Sequence, residues 1–162
     1  MSSSTRGASS LAIQLGGTLL AESDLVGNLE SSRTFSVNGT VVVRGGLSGD
    51  APQFLEAMSR DFGGQVGTRL GQSPFIDNFA ISRLQLANHA RLALQDRSSL
   101  PSNGGADAVY VNTLVVPKDC SLDLNGIHLY ARSVSVEGDL LGGRVQVVPS
   151  GGPIAINSTV AG

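Results

Sequence analysis

Arg83-Leu-Gln-Leu-Ala-Asn-His-Ala-Arg-Leu-Ala-Leu-Gln-Asp96 lies without a gap on Thr113-Leu-Val-Val-Pro-Lys-Asp-Cys-Ser-Leu-Asp-Leu-Asn-Gly126. Leu84, Leu92 and Leu94 fall on Leu114, Leu122 and Leu124, Leu86 falls on Val116, and the small Ala90 falls on Cys120. The alternate, apolar positions are kept while the residues between them vary, which is the mark of a repeated strand pair with one dry face. Val134 and Val136, then a turn at Gly138, then Val145 and Val147 read as a third, shorter copy. Copies of this kind bury their apolar positions by coiling, each strand lying ~4.8 Å from its counterpart in the turn before. The expected architecture is mostly β: a right-handed parallel β-solenoid, with a β-sandwich or jelly roll as the alternative that alternating strands and glycine turns also allow.

Away from the repeat the same period of two recurs at Leu11, Ile13 and Leu15, at Phe35 and Val37, at Val109 and Val111, and at Ile127 and Leu129. Asn38-Gly39, Asn125-Gly126, Glu137-Gly138 and Gly142-Gly143 supply expected turns between such runs. One interval departs from the pattern. Phe54, Leu55, Met58 and Phe62 form a helical stripe, with Asp50 as N-cap, Pro52 in the first turn and Gly63-Gly64 as a stop. The spacing predicts a short helix near residues 51–62, followed by a glycine-rich loop, together an insertion over about residues 50–78. Residues 1–148 then form one module, and residues 149–162 a Pro- and Gly-containing tail or linker.

The composition agrees with a β-rich body. The 162 residues include 21 glycines and only 15% charged side chains, against a usual charged share of about 25%. Lys118 is the only lysine and the formal net charge is −2, with no basic run, so nucleic acid is excluded as an expected partner. The apolar runs are far shorter than the ~18–20 residues that span a bilayer, and the first residues lack a signal-peptide pattern. Cys120 is the single cysteine, which excludes an internal disulfide and a multi-cysteine metal site.

The stretch from Ala108 to Arg132 resembles a recurring segment of very large secreted bacterial proteins of the planctomycete kind. Tyr110, Val111, Thr113, Leu114, Leu122, Asp123, Leu124, Asn125, Gly126, Leu129 and Tyr130 carry the resemblance, and Lys118-Asp119-Cys120 departs from the glycine and small residues usual at that turn. Gly142-Gly143 and Gly151-Gly152-Pro153-Ile154 with Asn157 look like the linker that leads, in such proteins, into a β-sandwich of the pre-peptidase C-terminal type. The resemblance covers about residues 80–160. It implies an extracellular or cell-surface module cut from a longer chain, and it supplies no catalytic residue.

Chemistry-bearing residues are few. His89, His128 and Cys120 are the candidates for a nucleophile and base, but spacing brings none of them together, and Cys120 replaces alanine in the other copy. Asp119, Asp123, Glu137 and Asp139 form an acidic group from which a glycan-active enzyme would draw acid and base, or calcium its ligands; beside glycine turns such residues are ordinarily solvated or turn-forming. Gly45-Gly46-Leu47-Ser48-Gly49-Asp50 lacks the lysine of a phosphate-binding loop and the last glycine of a nucleophile elbow. The expectation is a structural or adhesive display module with no catalytic residue, cofactor or metal and with binding residues unknown. Its expected partners are a glycan or protein at a cell surface, or further copies joined end to end. The alternatives are a glycan-binding or glycan-active β-helix enzyme and a self-assembling scaffold subunit.

Overall fold

In the computed structural model the described residues are 10–27, 35–45, 51–64, 75, 78–97 and 107–148. Among them the chain is all strand and turn. Four long strands, β3 (Phe35–Arg44), β6 (Ala80–Ala87), β8 (Asp107–Val116) and β10 (His128–Val136), carry one sheet. The short β1 (Leu11–Ile13), β2 (Thr18–Ala21), β5 (Ser59–Arg60) and β12 (Val145–Val147) complete it. Its order is β1-β3-β6-β8-β10-β12, with β2 also beside β3 and β5 beside β8. A second sheet has the order β11-β9-β7-β4, from β4 (Gln53–Glu56), β7 (Arg91–Gln95), β9 (Ser121–Asp123) and β11 (Asp139–Leu141). All pairings of named strands are parallel except β5 with β8.

From β6 onward the chain alternates between the sheets, and this places the repeated leucines in two rows. Leu84 pairs with Leu114 and Leu114 with Val134 in the large sheet; Leu92 pairs with Leu122 and Leu122 with Leu140 in the small one. The inner faces meet in one apolar core in which Leu84, Leu86, Leu94, Leu114, Leu122 and Leu124 lose all contact with solvent. Each contributes roughly 1.5–3 kcal/mol from its removal from water, which offsets the ordering of short strands with few side-chain hydrogen bonds.

The long strands are not straight. Val109 and Val111 point into the core, and then Leu114 and Val116 do, so the alternation skips a residue at Asn112. The neighbours skip at the same level: Ser82 and Arg132 are the residues left out of the paired registers on either side of Asn112. The shared slip keeps apolar side chains inside along both halves of each strand, as a bulge does when it bends a strand.

Three sequence expectations change. Residues 53–56 are strand β4, paired with β7 through Gln53↔Leu92 and Leu55↔Leu94, and no helix occurs among the described residues of 51–64. Leu55 is buried in the core while half-buried Phe54 lies beneath the Arg97 guanidinium at 5.8 Å, so neighbours of opposite facing mimicked a helical stripe. The helical insertion is therefore replaced by a fourth strand of the small sheet. Asn38-Gly39 is not a turn either: it lies inside β3, where the register with β6 shifts between Val37 and Thr40. A β-carbon on Gly39 would come within 2.2 Å of the Gly17 carbonyl oxygen, so the glycine serves close backbone approach. In the third copy, Leu140 rather than Val145 answers Leu122, and Val145 instead pairs with Leu129. The tail over 149–162 lies outside the described residues.

Candidate functional site

Tyr110 and Tyr130 sit opposite one another on β8 and β10, on the face of the large sheet turned away from the leucine core. Parallel in-register pairing stacks their rings, with centroids 4.8 Å apart and planes 16° from parallel. Phe75 meets Tyr110 edge-on at 5.2 Å, and the Arg132 guanidinium lies 4.5 Å from the centre of the Phe75 ring. Over this aromatic pair runs the segment 61–64, which continues from β5.

The segment is fastened by polar contacts at both tyrosines. The Phe62 amide donates to Tyr110 Oη at 2.9 Å, and that hydroxyl donates to the Gly63 carbonyl at 3.1 Å. Asp61 is the centre of the second fastening. Its Oδ1 accepts from Tyr130 Oη at 2.9 Å and from the Gly63 amide at 2.8 Å, while Oδ2 lies 2.6 Å from His128 Nδ1. Burial alone would raise the Asp61 pKa, but the bonds from Gly63, His128 and Tyr130 outweigh it and hold the carboxyl below its ordinary range. Burial pushes both tyrosine hydroxyls upward, so they stay protonated donors across the physiological range. The His128 side chain is 57% exposed, and with Nδ1 engaged its Nε2 has no hydrogen-bond partner among the described residues. The carboxylate fixes the imidazole through Nδ1, which leaves Nε2 as its remaining polar atom.

A second polar group lies at the ends of β4 and β7 and the start of β8. Glu56, buried at the end of β4, accepts from Gln95 Nε2 at 2.9 Å and from the Arg97 amide at 2.6 Å. Asp107, at the start of β8, is pushed up to about 6 by burial first, then by the charge and hydrogen bond of Asp96 and the charge of Glu56. Gln95 Oε1 is buried with no hydrogen-bond partner among the described residues. Among the described residues no three His, Cys, Asp or Glu side chains stand together so as to hold a metal ion, and no helix is long and apolar enough to cross a membrane.

The residues singled out from sequence are dispersed. His89 is an exposed turn residue with φ +56°, following Asn88 at +52°, and Cys120 is buried near the backbone of His89 and Ala90. Burial raises the Cys120 thiol pKa, which keeps it a small apolar filler rather than a thiolate. Asp123 Oδ1 accepts from the Asn125 amide at 2.8 Å and so helps set the Asn125-Gly126 turn. Asp119, Glu137 and Asp139 are exposed at turns or strand starts, and of the glycine-rich 45–50 stretch only Gly45 is described. Only His128 joins a polar cluster. Asp61 escaped the sequence reading because it fell in the expected helix; the twenty-residue interval between Tyr110 and Tyr130 was the available sign that they stack.

No protein-family model, curated protein or solved structure matches the chain.

Proposed function

We propose that the chain is a right-handed parallel β-solenoid module acting as a structural or adhesive display segment of a large exported bacterial surface protein. The observation that carries this reading is the row Leu84, Leu114, Val134 in one sheet, matched by Leu92, Leu122, Leu140 in the other. Rows of that kind extend by adding copies, so length grows while the cross-section stays constant. The right hand follows from the general preference of parallel crossover connections. The resemblance around Tyr110 to Tyr130 supports the surface location and the membership of a longer chain.

Display calls for outward positions that vary while the inward ones repeat. Outward positions such as Gln85, Val115 and Ser135 differ from copy to copy on one continuous ladder. Among the described residues β11 and β12 are paired on one side only, and their outer edges, with Leu141 and Val147 exposed, suit either a following module or another copy. The acidic residues that a glycan hydrolase would need are given to turns, Asp123 most plainly, which favours binding over turnover.

Incubation of the purified chain with a panel of polysaccharides tests the reading. No new reducing ends or unsaturated products are expected, together with retention on an immobilised glycan or surface protein. Turnover that is lost in Asp123→Ala would replace display with catalysis.

A further inference from the structure

We infer that the cavity of about 260 Å³ between the inner face of the large sheet and the chain at 24–27 and 55–59 binds a small, neutral, hydrocarbon-like molecule. The inference goes beyond the display reading and stands independently of it. Leu11, Leu19, Phe35, Val37, Leu55 and Ile81 supply the apolar wall. Leu11, Leu19 and Phe35 pack on the core while remaining only partly buried, so their other sides face the cavity or solvent.

The polar groups in the wall fix the class of guest. Ser59 Oγ already donates to the Phe79 carbonyl at 3.2 Å. Both carboxylate oxygens of Glu56 accept, from Gln95 and from the Arg97 amide, and Asp24 Oδ1 accepts from the Phe54 amide at 3.0 Å. These groups are committed to holding the wall together. Both charged groups in the wall are carboxylates, so an anionic guest would pay desolvation and meet repulsion there, whereas an uncharged hydrocarbon pays neither.

Size sets the scale of the guest. A cavity of about 150 Å³ lined by Leu, Ile and Phe stays dry and takes benzene. The present space is larger and lined by the same residue types, so it fits a bicyclic aromatic or a medium aliphatic chain. The pocket opens partly to solvent, and a guest that covers its apolar wall gains by removing that wall from water.

Titration of the whole chain with N-phenyl-1-naphthylamine, followed by fluorescence and competed with naphthalene or decane, tests the site. Saturable one-to-one binding is expected, with decanoate competing poorly. Val37→Phe and Ile81→Phe, which fill the space, are expected to weaken binding by about tenfold or more. Absence of saturable binding overturns the inference, and so does equal binding by folded filled variants, because it places the probe elsewhere. If those variants fail to fold, methyl NMR of the unaltered chain decides. Naphthalene must shift the Val37, Leu55 and Ile81 methyls, and unmoved methyls overturn the site.

Discussion

Asp61 and Asp107 are the same residue type driven in opposite directions by their surroundings, and acid titration separates them. Asp61 gains three hydrogen bonds in the folded chain and stays ionised below the ordinary carboxylate value. Its contribution is therefore present above that value and lost as pH falls beneath it. Asp107 rises from 3.8 to about 6 through burial and the nearby Asp96 and Glu56 charges, so the folded chain holds a proton that the unfolded chain has released between those values. Across that window stability falls as pH rises, and above about 6 the penalty is complete. Asp61→Asn is expected to lower stability at pH 7 by roughly 1–3 kcal/mol, since Tyr130 and Gly63 lose a charged acceptor. Asp107→Asn is expected to raise it by about 1 kcal/mol at pH 7, with both differences shrinking toward pH 3. Thermal melts at pH 3, 5 and 7 check the pair; parallel behaviour of the two variants would contradict the opposed environments. Neither aspartate was legible as a site residue, because burial and a strap that crosses from another strand are tertiary facts with no local sequence pattern.

Turns are the elements where a missing side chain matters most, and two glycines show two different reasons. At Gly138, between β10 and β11, a β-carbon would come within 2.2 Å of the Cys120 carbonyl oxygen and 2.3 Å of that of Pro117. Those are backbone atoms of the turn between β8 and β9, which have no rotamer by which to retreat. Gly126, between β9 and β10, has φ +77° with open space around it, so only left-handed strain opposes a side chain there. Gly138→Ala is expected to cost roughly 2–4 kcal/mol, while Gly126→Asn is expected to cost less than about 1 kcal/mol, asparagine being at ease with positive φ. Urea unfolding of both variants measures the contrast, and equal costs would mean that crowding by the turn at residues 117–120 is not what selects Gly138. The same contrast explains which elements were readable beforehand. Leu84 over Leu114 and Leu92 over Leu122 were legible because apolar period two survives in each copy. Asn38-Gly39 was misplaced because a glycine needed for close approach inside β3 has the same sequence sign as a turn glycine. β4 was missed because Phe54 and Leu55 face different neighbours, and adjacent apolar residues then imitate a helix face.

Across the whole molecule, the number of neighbours per strand sets a gradient of stability. Among the described residues β8 is flanked by β6 and β10, and β9 by β7 and β11, whereas β11 and β12 have a partner on one side only. If the coils stack as the solenoid reading proposes, each opening costs its own strand energy plus the interfaces it breaks, and a terminal coil breaks one interface where an inner coil breaks two. Local opening should then run from the ends inward. Native-state amide exchange read by NMR is expected to give the slowest rates at Leu114 and Leu122, whose side chains are fully buried and whose strands are paired on both sides. Intermediate rates are expected in β6, and the fastest among the paired strands at Val145–Val147 of β12, which pairs with β10 alone among the described strands and leaves Val147 exposed. Mild denaturant should raise exchange in β12 well before it reaches β8. A single opening free energy shared by β8 and β12 would mean that the sheets unfold as one globule, and the additive stacking on which a length-tunable display module depends would be lost.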